Sequence, residues 1–225
     1  MAYVKTGFRL ILILLVGALL HYALPQHDLV RITSTEVIRM DFSATNRWFF
    51  AQADSGNTEL TTRDIRLINT VKRKTFLLGF IPRDSEKVMV YRNEDTGWIW
   101  PPYFKFDSSD LQAQASANLS TAANEQWVIM THYGWRNRLF TIYPNAIRIT
   151  PVSGPDVTVI PWFNIFFFLV LAAGIAFIRA AWLQFRERTM DPMLERASDR
   201  MDEVEAGVAE RRGRISRWLG TWRAK

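Results

Sequence analysis

The stretch Ile160-Pro-Trp-Phe-Asn-Ile-Phe-Phe-Phe-Leu-Val-Leu-Ala-Ala-Gly-Ile-Ala-Phe-Ile178 decides the fold of this chain, because its 19 residues include no charged side chain. A helix of this length reaches roughly 28 Å, which matches the hydrocarbon core of a bilayer. Pro161 suits the first turn of a helix and Trp162 suits the interfacial aromatic belt. Asn164 lies in that first turn, where we expect water or lipid head groups to satisfy its amide. We therefore predict a transmembrane helix over 160–178.

A second apolar run, residues 10–24, predicts another membrane helix over 8–24. It spans a bilayer only if Phe8 is included and Arg9 extends its guanidinium to the head groups. The basic flank of Lys5 and Arg9 also resembles a secretory signal peptide, which is the alternative interpretation. No convincing small-x-small cleavage site follows the run, so the pattern favours an uncleaved anchor.

Basic residues near the membrane ends predict the orientation of this membrane α-hairpin. Four arginines follow the 160–178 run within twenty residues, whereas Arg148 is the one basic residue in the twenty before it. We therefore predict the bacterial inner membrane as the location, with residues 1–7 and 179–225 in the cytoplasm. The central domain, residues 25–159, is then periplasmic.

The charge of the chain is unevenly spread, and this excludes some partners. Residues 28–160 carry 15 Lys and Arg against 14 Asp and Glu, whereas the tail from Arg179 carries 11 against 8. The positive-inside bias and attraction to anionic lipid explain this basic excess, so we predict no nucleic-acid partner. Cysteine is absent, which excludes a disulfide scaffold, thiol chemistry and cysteine-ligated metal centres.

The central domain reads as mainly β with one helix. Alternating β-branched residues predict strands, the Asp107-Ser-Ser-Asp-Leu stretch predicts a helix with a Ser109–Gln112 capping box, and Pro144-Asn145 predicts the turn of a final hairpin. The predicted strands cover 28–40, 63–71, 87–91, 127–132, 139–143 and 146–150, and the helix covers 107–118. Five or six strands with one helix between the third and the fourth is the element order of a small barrel of the oligonucleotide/oligosaccharide-binding (OB) type.

Residues that commonly carry chemistry do not form a recognisable motif here. The three histidines, His21, His27 and His132, lack metal-ligand spacing, so we predict no metal and no cofactor. The carboxylates of Glu94-Asp95 and of Asp107 with Asp110 are explained by turns and helix caps. We expect no catalytic residues and no enzyme, although an enzyme remains conceivable if three of Glu94, Asp95, Asp107 and His132 come within hydrogen-bond reach.

The segment Trp98-Ile-Trp-Pro-Pro-Tyr-Phe-Lys-Phe106 is the most distinctive local feature, with five aromatic residues in nine. Such a density fills a core, lies on the outer leaflet or forms a contact surface for a partner. The candidate contact surface comprises Trp98, Trp100, Tyr103, Phe104 and Trp135.

The tail after Trp182 predicts a helix with two competing roles. Apolar residues at alternating steps of three and four form a heptad seam, which favours self-association of the chain. The basic, tryptophan-bearing end favours a helix on the inner leaflet instead. Its candidate lipid contacts are Arg211, Arg212, Arg214, Trp218 and Trp222.

The chain resembles a bacterial family of two-span inner-membrane proteins of unknown function, and the likeness runs almost end to end. The strings that carry it are Tyr91-Arg-Asn-Glu-Asp-Thr-Gly-Trp98, Pro101-Pro-Tyr-Phe-Lys-Phe-Asp-Ser-Ser-Asp-Leu-Gln112, Thr131-His-Tyr-Gly-Trp-Arg136, Tyr143-Pro-Asn145 and Pro161-Trp-Phe-Asn164. The resemblance implies no activity or site.

Two functional hypotheses follow from the sequence. The first is a non-enzymatic, membrane-anchored interaction module that serves as an accessory or assembly subunit among other inner-membrane proteins. The second is a periplasmic ligand-binding or sensing module, coupled through the hairpin to the cytoplasmic tail. It predicts a pocket lined by Trp98, Trp100, Tyr103 and Trp135.

Overall fold

Helix α1 (Ala2–Ala23) begins this computed structural model, which describes residues 2–42, 46–50, 62–76, 81–96 and 101–223. The central elements are β1 (Gln26–Asp41), β2 (Thr62–Phe76), β3 (Ile81–Arg92), α2 (Ser108–Ala117), β4 (Trp127–Tyr133) and β5 (Asn145–Val152). Helix α3 (Trp162–Phe185), a π-helical turn (Arg186–Met190) and α4 (Asp191–Arg223) follow. The chain divides into two units, Met1–Asn164 and Ile165–Lys225.

The five strands form a closed barrel in the order β1-β2-β3-β5-β4. Every neighbouring pair is antiparallel except β3 and β5, which are parallel and meet at Arg92 and Asn145. Strand β1 closes the barrel because it is long enough to pair twice. Its first residues, Gln26–Val30, pair with β4. From Val30 onward β1 pairs with β2, and a bulge between Ile32 and Ser34 shifts the register of this second pairing. The predicted barrel of five or six strands with one helix is confirmed, with five strands.

The barrel interior is filled by side chains. Alternate residues of the strands supply most of the core, and Leu111 and Ala115 of α2 complete it. Each large apolar side chain buried in this way stabilises the fold by roughly 1.5–3 kcal/mol. The core comprises Val30, Ile32, Ile68, Met89, Tyr91, Leu111, Ala115, Val128, Met130, Ala146 and Ile149.

The predicted hairpin around Pro144-Asn145 is wrong. Strand β5 pairs with β4 instead, in a register that includes Asn145 opposite Tyr133. Residues 138–141 form a turn between the bridged residues Asn137 and Ile142, because the side-chain oxygen of Asn137 accepts hydrogen bonds from the backbone N–H groups of Leu139 (2.9 Å) and Phe140 (3.2 Å). This turn belongs to the segment 134–144 between β4 and β5, which we call the β4–β5 loop.

The predicted Ser109–Gln112 capping box is also wrong. Helix α2 begins at Ser108, whose backbone N–H donates to a carboxylate oxygen of Asp95 (2.9 Å), so a residue 13 positions earlier caps the helix. Asp107 occupies the N-cap position in a left-handed conformation and makes no side-chain cap hydrogen bond. Gln112 accepts a hydrogen bond from Asn93 instead (2.7 Å).

Two helices are long and apolar enough to cross a membrane, Tyr3–Ala23 and the continuous helical stretch Trp162–Leu219. Leu10 to Leu15 in α1 are each more than half exposed, and α3 contains no buried residue. The side-chain N–H of Asn164, in the first turn of α3, donates to the carbonyl of Pro25 (2.8 Å), whereas its side-chain oxygen has no hydrogen-bond partner among the described residues. The expectation for Asn164 therefore remains untested for the oxygen, while the nitrogen is satisfied by protein.

Candidate functional site

A buried polar network lies at the start of β1, and we call it the Asp28 network. One carboxylate oxygen of Asp28 accepts hydrogen bonds from the Tyr91 hydroxyl (2.6 Å) and from Nε2 of His132 (3.1 Å). The other accepts from the ammonium group of Lys72. Strand pairing brings these residues together, because β1 lies between β2 and β4 while Tyr91 points inward from β3. Three side chains from three other strands therefore meet on the carboxylate of Asp28.

The environment of Asp28 favours its ionised form. Burial alone raises the pKa of a carboxyl group, but the charges and hydrogen bonds of His132 and Lys72 together outweigh burial and hold the pKa of Asp28 well below its usual range. Burial and the nearby carboxylate raise the pKa of Tyr91 well above its usual value, so this phenol stays protonated as a donor. The Nδ1 atom of His132 is buried without a hydrogen-bond partner among the described residues.

A second buried network, which we call the Arg92 network, follows the end of β3. The Arg92 guanidinium donates to the Tyr103 hydroxyl (2.9 Å) and to Glu94 (3.4 Å), and it lies 4.8 Å from the ring centroid of Phe50. Glu94 also pairs with Arg63 (3.0 Å). Buried charges are costly unless paired, and both charges here are paired within the protein.

Asn145 holds Glu94 in place through the backbone. Its side-chain amide donates to the Glu94 carbonyl (2.8 Å) while its side-chain oxygen accepts from the Glu94 N–H (3.1 Å). These two bonds fasten the segment after β3 to the first residue of β5, where the two parallel strands share a single ladder pair. Asn145 therefore supports the weakest seam of the barrel.

Lys105 is the most unusual ionisable group of the Arg92 network. Its ammonium group is buried and donates to the side-chain oxygen of Asn93. Burial lowers the pKa of Lys105 to about 7, and Arg92 contributes to the lowering while Asp95 opposes it. The side chain therefore changes charge near neutral pH inside a packed region.

An aromatic cluster, which we call the junction cluster, joins α1 to the barrel. The ring of Tyr22 packs against three others, and its centroid lies 5.8 Å from that of Phe49, 5.9 Å from that of Tyr103 and 5.3 Å from that of Trp135. Tyr133 adds a stacked contact with Tyr103 at 4.4 Å. Since Tyr103 also binds Arg92, the Arg92 network reaches α1 directly.

Hydrogen bonds reinforce this junction. The backbone N–H of Gly134 donates to the carbonyl of Tyr22 (3.0 Å), and the indole N–H of Trp135 donates to Nδ1 of His21 (2.9 Å). Gly134 has φ +83°, and a Cβ atom there would lie 3.3 Å from the Tyr22 ring. Only glycine allows this close approach without strain. The end of α1 is therefore part of the folded domain.

The residues of the predicted contact surface differ in their exposure. Tyr103 is buried in the junction cluster, Trp135 is 36% exposed and Phe104 is 55% exposed. Trp98 and Trp100 lie outside the described residues. Tyr103 and Trp135 do come together, because both rings contact the ring of Tyr22.

Three of the four residues considered for an enzyme have separate partners, and the fourth, Asp107, makes no side-chain cap hydrogen bond. Glu94 pairs with Arg63 and Arg92, Asp95 accepts from Ser108, and His132 bonds to Asp28. No cluster of three potential metal ligands occurs within the described residues. The carboxylates in this region therefore pair with cations or cap α2.

The candidate lipid contacts of the tail all lie on α4. This helix continues through Gly207 and Gly213, and the Trp218 side chain is more than half exposed. Arg214 pairs with Glu210 (3.6 Å), while the side chain of Trp222 lies outside the described part. The arrangement is a single helix that carries Arg211, Arg212, Arg214, Trp218 and Trp222.

Sequence reasoning missed Asp28, Tyr91, Arg92 and Lys105 as members of buried networks. A signal was present for Asp28, because Asp28, Val30 and Ile32 alternate along β1 and are all buried. A charged residue at an inward position of a predicted strand marks a buried ion pair or a functional group. Lys105 offered no comparable signal, because its burial depends on the loop before α2.

These features define a small closed β-barrel that is joined, through a buried polar and aromatic junction, to an apolar helix. The chain belongs to the DUF1523 family of proteins of unknown function, whose model matches residues 1–186. An uncharacterized protein of Haemophilus influenzae is 33% identical over 166 residues, which are 72% of this chain and 84% of that protein. No solved structure matches the chain.

Proposed function

We propose that this protein is a two-span inner-membrane protein whose barrel stands in the periplasm as a non-enzymatic interaction module for other membrane proteins. The exposed apolar surfaces of α1 and α3 support the membrane placement, because water-exposed apolar helices of this length are unfavourable. Burial of Tyr22 within the domain supports an uncleaved first helix. The strand order of the closed barrel and the position of α2 between β3 and β4 support an OB-type barrel.

The observation that carries the interaction role is the outward aromatic pair Phe104 and Phe106. Tyr103 and Lys105 point into the protein, whereas Phe104 is 55% and Phe106 is 56% exposed. Aromatic side chains are enriched at protein interfaces and bury a large apolar area when a partner covers them. The buried ionisable groups nearby pair with one another, which fits a scaffold better than a reaction centre.

A matched pair of variants tests this role. Phe104→Ser with Phe106→Ser removes the aromatic pair, whereas Val37→Ser changes an equally exposed apolar residue elsewhere on the barrel. We expect the wild-type protein and Val37→Ser to migrate within a larger complex after mild solubilisation of native membranes, and the double variant to migrate alone. A wild-type protein that purifies only as a monomer, with no partner complex lost on its deletion, would contradict the proposal.

The exposed apolar residues of the tail can be covered in two ways on the cytoplasmic side. The seam residues Met201, Val204 and Val208 are exposed in the single chain, so either a second copy or the inner leaflet is needed to cover them. Cross-linking of single cysteines on the seam distinguishes a homo-oligomer from a lipid-bound helix.

Sensing is a second candidate function, favoured by the position of Lys105. The pKa of this residue is about 7, its charge interacts with that of Arg92, and Arg92 reaches Tyr22 through Tyr103, so a change of charge acts beside α1. The predicted ligand pocket around Trp98, Trp100, Tyr103 and Trp135 stays a prediction, because Trp98 and Trp100 lie outside the described residues. A protease-accessibility pattern of α1 that changes between pH 6 and pH 8, and no longer changes in Lys105→Met, would support sensing.

A further inference from the structure

The β4–β5 loop presents apolar and basic side chains side by side. Leu139 is 83% exposed and Phe140 is 42% exposed, and Arg136 and Arg138 immediately precede them. Exposed apolar residues flanked by arginines are the pattern of segments that lie in a membrane interface. The loop is also fixed to α1, because Gly134 donates to the carbonyl of Tyr22.

A basic pocket lies beside this loop. It has a volume of about 480 Å³ and is lined by Lys87, Val88 and Val90 of β3 together with Arg136 and Arg138. The three cationic side chains suit a bound anion, and the two valines suit an apolar group attached to that anion. Within the described residues, neither Lys87 nor Arg138 forms an ion pair with a carboxylate.

The loop itself holds Arg136 in position. Its guanidinium donates to the carbonyls of Asn137 (3.2 Å) and Ile142 (2.9 Å) and lies 4.2 Å from the ring centroid of Tyr143. The pKa of Lys87 is lowered, most strongly by partial burial. The positive charges of Lys72, Arg138 and Lys74 also lower this pKa, and Asp28 opposes them. An anion in the pocket would relieve this repulsion.

We propose that this pocket binds the phosphate group of an anionic phospholipid from the leaflet next to the barrel, while Leu139 and Phe140 enter the interface beside it. The inference rests on the membrane placement proposed above. The lipid is the occupant that the position favours, because the β4–β5 loop supplies both arginines of the pocket and the exposed Leu139 and Phe140, and is hydrogen-bonded to the end of α1. Arg136 and Arg138 supply donors suited to phosphate oxygens, and Lys87 supplies a point charge.

The test uses the full chain reconstituted into nanodiscs of phosphatidylcholine with and without phosphatidylglycerol, followed by native mass spectrometry of the retained lipid. The wild-type protein is expected to retain phosphatidylglycerol in preference to phosphatidylcholine. Lys87→Gln with Arg138→Gln should bind it roughly 20- to 30-fold more weakly, since each basic residue near an anionic surface contributes about a factor of five. Arg39→Gln with Arg148→Gln removes the same charge from exposed barrel positions away from the pocket and should retain the lipid.

Other outcomes separate the inference from the proposal on which it rests. A protein that enters nanodiscs but shows no lipid preference, or whose control variant loses the lipid equally, overturns the pocket and leaves the membrane placement intact. Failure to enter nanodiscs contradicts the membrane placement itself. Saturation by inorganic phosphate in detergent, without retention of phosphatidylglycerol, overturns the lipid assignment. A nitroxide on Leu139→Cys should show contact with lipid, and one that reports only water contradicts insertion of the loop.

Discussion

At the residue scale, the defining feature is that single polar side chains hold separate strands together. Asp28 receives hydrogen bonds from three side chains on three other strands, and Asn145 fastens Glu94 to β5 through two bonds. Removal of one partner from a buried charged group leaves the other group unsatisfied, which costs more than the bond itself contributed. These residues are therefore expected to dominate the stability of the barrel.

Tyr91→Phe tests the Asp28 network with a minimal change. The ring remains packed, but the carboxylate loses a hydrogen bond of 2.6 Å, so we expect the free energy of unfolding to fall by about 1.5–3 kcal/mol. Tyr133→Phe is the control, because its ring stacks on Tyr103 without a hydrogen bond from its hydroxyl to the described residues. Chemical denaturation of both variants in detergent measures the difference, and equal losses in the two would exclude a special role for Tyr91.

Acid should weaken the same network. The pKa of Asp28 is lower in the folded protein than in the unfolded chain, so its stabilising contribution is complete above about pH 4 and is lost as the pH falls through the folded value. Asp28→Asn should therefore be destabilised at neutral pH, by about 3–5 kcal/mol, and should show a weaker loss of stability in acid than the wild-type protein. Parallel acid-induced transitions of the two proteins would contradict this assignment.

Lys105 should give a dependence on pH of the same sign, but in a higher pH range. Its pKa is about 7 in the folded protein, below the value of about 10.4 in the unfolded chain, so the unfolded chain binds more protons between these values. The stability of the wild-type protein relative to Lys105→Met should accordingly rise from pH 7 to pH 9, by up to about 1.4 kcal/mol per pH unit. Lys74→Met, at an exposed position, is the control. A difference that does not change with pH would show that Lys105 remains charged.

At the element scale, the strands and the short helix were largely predictable, because β-branched alternation and turn residues are local signals. The prediction of the hairpin failed because the side chain of Asn137 accepts hydrogen bonds from the backbone of Leu139 and Phe140 and so stabilises a turn. The strand propensity of residues 139–143 does not reveal this contact. The start of α2 failed for a similar reason, since its cap comes from Asp95. Contacts between distant segments decided both cases.

Gly134→Ala tests the connection between α1 and the barrel. The positive φ and the proximity of the Tyr22 ring make a Cβ atom unfavourable, so we expect a loss of about 1–2 kcal/mol and a Trp135 environment that changes with it. Gly154→Ala, where a Cβ atom meets nothing within 4 Å, should be nearly neutral. Thermal unfolding followed by tryptophan fluorescence compares the two, and a neutral Gly134→Ala would show that the junction is not tightly packed.

At the scale of the whole molecule, apolar length and periodicity predicted the main elements, whereas the candidate site could not be predicted. Two apolar helices and a mainly β central region could be predicted because run length and periodicity are properties of the sequence itself. The two buried networks could not, because Asp28 and His132 meet only through barrel closure, and Arg92 and Tyr103 meet only through a loop. The Tyr91-Arg-Asn-Glu-Asp-Thr string that carried the family resemblance turns out to supply residues to both networks.

The topology can be measured directly, because the natural chain contains no cysteine and a single introduced thiol is therefore unambiguous. Ala113→Cys places a thiol on the exposed face of α2, and Ala209→Cys places one on the exposed surface of α4. With a membrane-impermeant maleimide on intact cells of a bacterial host, our account predicts labelling of Ala113→Cys once the outer membrane is opened and labelling of Ala209→Cys only after the inner membrane is disrupted. Labelling of both before that disruption, or of Ala209→Cys alone, would contradict a periplasmic barrel on a two-span anchor.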